Sequence, residues 1–452
     1  MTNPMQLRRR FLEINQRVAA TAPALAIMPL VPAVVATRSA LRRVEMIGKR
    51  LVISGALAIA VLSALLLATP AQAQQFATLH SFGASGDVAH PESPLVFDKV
   101  GNLYGLAYAD GVFELSPSGG GWTEKVFYEF SGYTNGAEPN GSFAIDAKGN
   151  LYGATWTTGG VDSYGTVFEL TPAGTESFLY NFAGPPDGAS VDGVIRDTKG
   201  NLYGETAYGG TSPCNNGGCG TVFEVTKKGK ESVLYSFAND GTDGNYPLGG
   251  LTMDKLGNLY GTTRAGGIQN CPPNLGQSGC GIVFELTPAG GVWTEKILYS
   301  FTGGTDGGAP GSVLIFDKQG NLYGETSVGG DYGYGTVFKL TPGVGGWTET
   351  VLHSFNADGI DGTNPASVVF KGKNLYGTTW TGGSSSACSG GCGTVFEITS
   401  KGVEKVLHSF SGSDGANPGN GDGLTLGKGG VLYGATFNGG DYGGGTAFML
   451  KP

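Results

Sequence analysis

The sequence predicts an all-β fold, a seven-bladed β-propeller built from four-stranded antiparallel blades. The first observation is a tetrapeptide, Asn-Leu-Tyr-Gly, which occurs six times and is followed by a seventh near copy, Val-Leu-Tyr-Gly. The second is that strings close to Gly-Thr-Val-Phe-Glu-Leu follow all seven copies, and strings close to Leu-Tyr-Ser-Phe also occur seven times. Recurrence at a period of about 50 residues is typical of solenoids, propellers and arrays. The copies begin at positions 102, 150, 201, 258, 321, 374 and 431.

Each repeat contains four short segments, which we label a to d in chain order. Segment b begins with the Leu-Tyr-Gly motif, c contains Gly-Thr-Val-Phe, and d contains Leu-Tyr-Ser-Phe. All four are rich in Val, Leu, Tyr, Phe and Thr and are bounded by Gly, Pro, Asp and Asn, which is the pattern of β-strands joined by tight turns. The pattern predicts one antiparallel sheet per repeat. The complete sheets are expected to begin near 95, 143, 193, 251, 313 and 368.

The two ends of the repeat region complement each other. The first segment, 76–82, is a lone d strand, whereas the last repeat has a, b and c and ends with 445–450. Pairing of 76–82 with 445–450 would close the ring and remove two exposed sheet edges. A linear β-solenoid is the alternative, but it gives no reason for the surplus and missing strands to match.

The first 73 residues differ in composition from the repeats. A basic pair, an apolar run over 51–68 and an Ala-x-Ala motif ending at 73 predict a secretory signal peptide over 46–73. An uncleaved membrane anchor is the alternative, because the apolar run is just long enough to span a bilayer. We interpret 1–45 as a non-native extension upstream of a start at Met46, and 74–452 as a single propeller domain.

The charge of the repeat region restricts its partners. Of the 28 basic and 37 acidic residues, nine and two lie in 1–73, which leaves 19 basic and 35 acidic residues and a net charge of −16. A strongly acidic surface disfavours nucleic acid and anionic membranes. We therefore expect a monomer that binds neither nucleic acid nor, after signal cleavage, a membrane. Cation binding is compatible with this charge.

The six cysteines form three close pairs, and all three pairs lie in b–c connections. In an oxidising compartment such pairs predict local disulfides. A metal site is the alternative, but the spacing Cys-x-x-Cys is absent and no histidine lies nearby. The pairs are Cys214 with Cys219, Cys271 with Cys280, and Cys388 with Cys392.

The d–a connections carry a recurring Asp-Gly-x-x-Pro motif. A ring of carboxylates near the channel mouth could hold Ca²⁺ or a cationic ligand. The alternative is a turn in which each aspartate bonds its own backbone ahead of a glycine, and repetition in equivalent positions favours it. The candidate metal ligands are Asp243, Asp306, Asp361 and Asp414.

The residue that begins each b–c loop varies between repeats. Aromatic side chains and an arginine at this position could bind a sugar or a protein on the loop face. The alternative is that they cap the blades against their neighbours. The candidate ligand-binding residues are Tyr108, Trp156, Arg264, Trp380 and Phe437.

Groups able to catalyse a reaction are scarce. The sequence contains no nucleophile elbow, phosphate-binding loop or histidine–carboxylate metal cluster. Three of the four histidines replace the tyrosine of segment d, and we interpret them as packing variants. Glu205 and Glu325, which follow Asn-Leu-Tyr-Gly in two repeats, are the candidate pair for acid–base chemistry. No catalytic residue is assigned.

The joint pattern Asp-x-x-Gly-Asn-Leu-Tyr-Gly, Gly-Thr-Val-Phe-Glu-Leu-Thr-Pro and Leu-Tyr-Ser-Phe resembles the tandem repeat of the GloVer-containing, choice-of-anchor bacterial proteins. The resemblance covers 76–452, and the Asp-x-x-Gly-Asn turn more distantly resembles NHL-type propellers. It implies an exported protein without an established activity. Some members carry a C-terminal sorting anchor, whereas this chain ends at Pro452 after its last strand. We expect a secreted, periplasmic or cell-surface protein.

These observations predict a binding or interaction module with a glycan or protein ligand on its loop face. An extracytoplasmic lyase or hydrolase acting on a polysaccharide is the alternative, and a structural cell-surface protein is a third. Fold alone does not choose among them.

Overall fold

The computed structural model describes residues 74–452 apart from short gaps. The predicted extension over 1–45 and the predicted signal peptide over 46–73 lie outside the described residues. The gaps are at 109–110, 132–135, 158–163, 215–216, 239, 269–270, 272–278 and 420–422.

The described chain forms seven antiparallel sheets arranged in a ring, with no α-helix among the described residues. This confirms the predicted seven-bladed propeller. Blades 1 to 3 contain β2 (Val96–Phe97), β3 (Leu103–Ala107), β4 (Gly111–Ser118), β5 (Gly121–Glu129); β6 (Ala137–Ile145), β7 (Leu151–Thr157), β8 (Thr166–Leu170), β9 (Glu176–Asn181); and β10 (Gly188–Arg196), β11 (Leu202–Gly209), β12 (Thr221–Val225), β13 (Glu231–Ser236).

The innermost strand is divided in two in blades 4, 5 and 7. Blades 4 and 5 contain β14 (Gly244–Pro247), β15 (Thr252–Met253), β16 (Leu259–Gly266), β17 (Ile282–Ala289), β18 (Val292–Ser300); and β19 (Gly308–Pro310), β20 (Ile315–Phe316), β21 (Leu322–Val328), β22 (Thr336–Gly343), β23 (Gly346–Ser354). Blades 6 and 7 contain β24 (Gly362–Lys371), β25 (Asn374–Gly382), β26 (Thr394–Ile398), β27 (Glu404–Ser409); and β28 (Ala416–Pro418), β29 (Thr425–Leu426), β30 (Leu432–Asn438), β31 (Thr446–Lys451) and β1 (Gln75–Ser81).

The ends of the chain close the ring. Strand β1 pairs antiparallel with β31, from Gln75 opposite Lys451 to Ser81 opposite Thr446. The first strand therefore supplies segment d of blade 7, as predicted, and neither strand keeps an open edge there.

The core lies between neighbouring blades and is centred on the phenylalanine of Gly-Thr-Val-Phe. This side chain is buried in every blade; Phe168, for example, is 1% exposed. The glycine of the adjacent Leu-Tyr-Gly motif is required because a Cβ on Gly153 would lie 2.5 Å from Cζ of Phe168. The motif therefore recurs because of packing: its glycine in strand b leaves room for the phenylalanine ring in strand c.

The innermost strands begin earlier than predicted. The predicted starts near 143, 193, 251, 313 and 368 are five to seven residues late. Strands β6, β10, β14, β19 and β24 begin at Ala137, Gly188, Gly244, Gly308 and Gly362. In blade 4 the strand therefore includes the Gly-x-x-Pro part of the motif that we had placed in a loop. One residue in this part has a left-handed backbone, which interrupts the regular strand pattern.

One such left-handed residue occurs in each blade, and in at least six of the seven its backbone N–H donates to a carbonyl of the preceding blade. Its φ lies between 51° and 64°, an uncommon range for residues other than glycine. In blade 4 the backbone N–H of Tyr246 donates to the carbonyl of Cys219 in blade 3 across 3.0 Å. The seven residues are His90, Glu138, Ser190, Tyr246, Ala309, Asn364 and Asn417.

Candidate functional site

The loop face carries the b–c and d–a connections, and the three predicted disulfides lie on it. Cys214 pairs with Cys219, Cys271 with Cys280, and Cys388 with Cys392. The carbonyls of Cys219, Cys280 and Cys392 accept the backbone N–H of the left-handed residue in the next blade. Each disulfide therefore braces a loop that rests on the wall of the central channel.

Two adjoining cavities open at the channel mouth. We name them the Glu325 cavity, of about 320 Å³, and the Asp192 cavity, of about 300 Å³. Both are lined by Arg264 and Gly311, so they form one continuous depression. A third cavity of about 230 Å³ lies along the channel and shares Asp192 and Gly311 with the mouth. Depressions of this size suit small molecules or a short oligomer.

Four of the five predicted ligand-binding residues line this mouth. Tyr108 and Trp156 line the Asp192 cavity, Trp380 lines the Glu325 cavity, and Arg264 lines both. The fifth, Phe437, packs between two of them, with ring centroids 6.2 Å from Tyr108 and 5.9 Å from Trp380. Residues that begin loops in five different blades are thus brought to one place.

The Asp192 cavity has an acidic wall that we did not predict from the sequence. Burial, followed by repulsion from Asp192 and Glu138, raises the pKa of Glu92 to about 8. Burial raises the pKa of Asp192 to about 6. The Asn140 side-chain amide donates to Asp192 across 3.3 Å, and the Tyr108 hydroxyl donates to Glu138 across 3.2 Å. This wall presents several hydrogen-bonding groups to a ligand.

The sequence signal for this wall lies in the residues around the proline of segment a. Glu138 occupies the variable position before the proline of segment a, and Glu92 follows that proline in blade 1. Asp192 is two residues after Ser190, which has the equivalent left-handed backbone. The residues around this proline therefore vary between repeats, as the residue at the start of the b–c loop does, and they line the cavity.

The structure separates the two glutamates considered for acid–base chemistry. Glu325 is 3% exposed and lines the Glu325 cavity. Glu205 is fully buried, lines none of the three mouth and channel cavities, and accepts the backbone N–H of Gly250 across 3.0 Å. Burial, followed by repulsion from Asp192, holds the pKa of Glu205 well above its usual value. The two carboxyls therefore do not face one shared cavity.

The four predicted metal ligands lie in four separate blade joints. Oδ2 of Asp243 accepts the Tyr235 hydroxyl at 3.0 Å and the Ala238 N–H at 2.8 Å, while its Oδ1 accepts the Gly244 N–H. In Asp306, Asp361 and Asp414, too, both carboxylate oxygens accept hydrogen bonds. This arrangement matches the turn alternative, and the Ca²⁺ role stays a prediction.

These features define the protein as a seven-bladed β-propeller with a concave, disulfide-braced loop face. The chain belongs to the Gloeobacter/Verrucomicrobia repeat family, whose model matches residues 65–272 and 273–452. The resemblance stated from the repeat motifs is thereby confirmed. No curated protein matches the chain in sequence.

Two solved structures share the fold. One is the extracellular domain of a candidate hybrid two-component system from B. thetaiotaomicron, with a TM-score of 0.51 and 14% identity over 83% of this chain and 41% of that one. The other is the extracellular domain of a candidate one-component system from the same organism, with a TM-score of 0.50 and 14% identity over 83% of this chain and 42% of that one. The chain thus spans about two fifths of the length of these proteins. At such low identity the likeness concerns the fold alone.

Proposed function

We propose that the protein is an exported binding module that holds a saccharide at the mouth of its central channel. One observation carries the proposal: Tyr108, Trp156, Arg264 and Trp380, from four blades, line one depression together with the carboxyl groups of the acidic wall. Repeats that served only to pack blades would not need to differ at these positions.

The chemistry of the mouth suits a sugar ring. The apolar faces of Trp156 and Trp380 offer stacking surfaces to the C–H face of a pyranose. Asp192, Glu138 and Asn140 in the wall, and Asn364 in the Glu325 cavity, offer acceptors and donors for hydroxyl groups. An aromatic surface with a few convergent polar groups is the usual composition of a small-molecule site.

The three disulfides indicate an extracytoplasmic protein, because such bonds persist in oxidising compartments. Among the described residues, no helix has both the length and the apolar character needed to span a membrane. We extend this to a secreted, periplasmic or cell-surface protein that binds its ligand as a monomer.

Three other functions from the sequence remain as alternatives. A protein ligand would contact exposed aromatic groups outside the cavities, and Tyr332 and Tyr442 in the b–c connections of blades 5 and 7 are 60% and 62% exposed. A lyase or hydrolase would need groups that act together on one bond, and Glu205 and Glu325, the pair considered from the sequence, do not share a cavity. A structural surface protein would not need an asymmetric mouth.

The test is a binding screen of the purified protein against a panel of neutral and acidic oligosaccharides, with product analysis on every hit. We expect binding without turnover and a loss of affinity of at least about tenfold in Trp156→Ala/Trp380→Ala, since a buried aromatic contact contributes more than about 1 kcal/mol. The matched control is Tyr332→Ala/Tyr442→Ala, which removes two aromatic groups from the same face outside the cavities. Equal loss in both variants, or release of product, would overturn the proposal.

A further inference from the structure

Among the described residues, Arg264 is the only basic side chain that lines the mouth and channel cavities. It lies in β16 at the start of a b–c loop, is exposed, and lines both mouth cavities. Within the described part of the chain, no hydrogen bond or ion pair holds its guanidinium. The repeat region contains one other arginine, Arg196, which stacks over the ring of Tyr152 at 5.1 Å. An arginine displayed in this way can receive a planar anion through two parallel N–H donors.

Of the residues that the structure describes, Glu325 is the only other charged or titratable side chain that lines the Glu325 cavity. It is 3% exposed, and its Oε2 has no hydrogen-bond partner among the described residues. A buried polar atom without a partner costs free energy unless a ligand or water satisfies it. Burial raises the pKa of Glu325 to about 8, so at neutral pH the group is mostly a neutral carboxylic acid. In that form it can donate an O–H hydrogen bond.

We infer that the saccharide bound at this mouth is an acidic one, and that its carboxylate is received in the Glu325 cavity by the guanidinium of Arg264 and the carboxyl of Glu325. The ligand class is a uronic-acid-containing oligosaccharide. This inference rests on the proposed saccharide binding and names the sugar that the site selects. A neutral sugar would offer Arg264 only uncharged acceptors, which bind a guanidinium more weakly.

The rest of the mouth fits the remainder of such a sugar. The adjoining Asp192 cavity presents Asp192, Glu138 and Asn140, which suit hydroxyl groups rather than a second anion. The net charge of −16 over 74–452 opposes a polyanion at long range, but at physiological ionic strength this repulsion is screened beyond about 8 Å. Selection therefore depends on the direct contact with Arg264.

The experiment measures, at physiological ionic strength, the affinities of the purified protein for galacturonate, mannuronate and glucuronate oligosaccharides. Each is compared with its methyl ester, which keeps the sugar and removes the charge, and with a sulfated neutral oligosaccharide. We expect at least one uronate to bind about tenfold or more tightly than its ester, and Arg264→Gln to remove about the same factor. Arg196→Gln, which makes the same change of charge elsewhere, should keep the affinity within about twofold.

Glu325→Gln tests the second contact, because the amide keeps a hydrogen-bond donor without a charge. We expect it to bind the uronate within about threefold of the unaltered protein, whereas Glu325→Leu should lose about tenfold. A loss of tenfold in Glu325→Gln would show that the ligand needs an ionised carboxylate and would overturn the inference.

The failure of this inference is distinguishable from failure of the proposed function. If esters and neutral oligosaccharides bind as well as uronates and Arg264→Gln has no effect, the acidic-sugar assignment is wrong and saccharide binding stands. Preference for the sulfated oligosaccharide would also overturn the carboxylate assignment. If no saccharide binds, both proposals fail.

Discussion

The hydroxyl of Tyr235 donates a hydrogen bond to Asp243 across 3.0 Å, and this contact ties strand d of blade 3 to the start of blade 4. The same contact recurs with histidine in place of tyrosine, since Nε2 of His353 lies 3.0 Å from Oδ2 of Asp361. Both pairs are partly buried, and in both the aspartate also accepts a backbone N–H. The aspartate of the recurring motif is therefore the acceptor that closes the joint between two blades.

Removing the donor should weaken the joint. We expect Tyr235→Phe to lower the free energy of unfolding by about 1–3 kcal/mol, because the 6%-exposed Asp243 loses a hydrogen bond that water replaces poorly. His353→Tyr should lower the free energy of unfolding by less, because a tyrosine hydroxyl is the donor to the equivalent aspartate in other blades. Chemical denaturation of the three proteins measures this. A Tyr235→Phe variant as stable as the unaltered protein would contradict it.

The hydrogen bonds of the four motif aspartates also predict the response to metal removal. Both oxygens of Asp243, Asp306, Asp361 and Asp414 already accept hydrogen bonds, so a Ca²⁺ ion would have to displace them. We expect EDTA and added Ca²⁺ to leave the thermal unfolding midpoint unchanged. A rise with Ca²⁺ that Asp243→Asn reduces would instead support the carboxylate ring predicted from the sequence.

The joints also make stability depend on pH. Burial, followed by repulsion from Asp243 and Asp240, raises the pKa of Glu295 to about 7 from the ordinary value of 4.5. Between these values the folded protein binds more protons than the unfolded chain, so the free energy of unfolding falls as pH rises through this window. Four other joints also contain a glutamate whose pKa is raised to about 7. These residues are Glu124, Glu231, Glu349 and Glu404.

At lower pH, the free energy of unfolding instead falls as the pH falls. Burial by itself would raise the pKa of Asp317, but hydrogen bonds from Asn321 and the backbone outweigh it and lower the pKa. Its stabilisation is present above the pKa of the unfolded chain and is lost as pH falls through the lower folded value. We therefore expect the unfolding midpoint to be highest near pH 4–5, to be lower by pH 8, and to fall again under strongly acidic conditions.

Glu295→Gln tests the assignment at one joint. It should raise stability at pH 8 by on the order of 1 kcal/mol, a value reduced for solvent screening of a half-buried group, and should leave stability at pH 4 nearly unchanged. Asp331→Asn, which removes an exposed carboxylate from a loop, is the control and should not change the pH profile. Identical pH profiles for Glu295→Gln and the unaltered protein would show that this glutamate is not responsible.

The left-handed residue before the proline gives a backbone prediction. Asn364 has φ of 53° and donates its N–H to the carbonyl of Tyr334 across 3.0 Å. Asn364→Val should lower the free energy of unfolding by about 1–3 kcal/mol, because β-branched residues avoid this conformation. Asn364→Gly should be close to neutral, since glycine adopts it freely. Denaturation curves for the two variants measure the difference, and equal losses in both would point to the lost side chain instead.

The sequence by itself determined the blade number, the closure of the ring, the three disulfides and four of the residues at the mouth. The blade number and the ring closure follow from a local pattern that repeats: Gly153 leaves room for Phe168, and its counterparts do the same in the other blades. The cysteine pairs and the mouth residues could be recognised from their positions within that repeat. The start of the innermost strand was missed because a left-handed residue near its beginning, such as Glu138 in β6 or Tyr246 in β14, interrupts the alternating strand pattern.

Only the tertiary structure decided which side chains meet. Arg264 and Glu325 are 61 positions apart in the sequence, and Glu92 and Asp192 are 100 apart, yet each pair lines one cavity. Glu205 and Glu325 occupy equivalent positions in their repeats, but the structure places them in different surroundings. A repeat fixes how each blade packs against the next, whereas the closed ring brings the non-repeating residues of all seven blades to a common mouth.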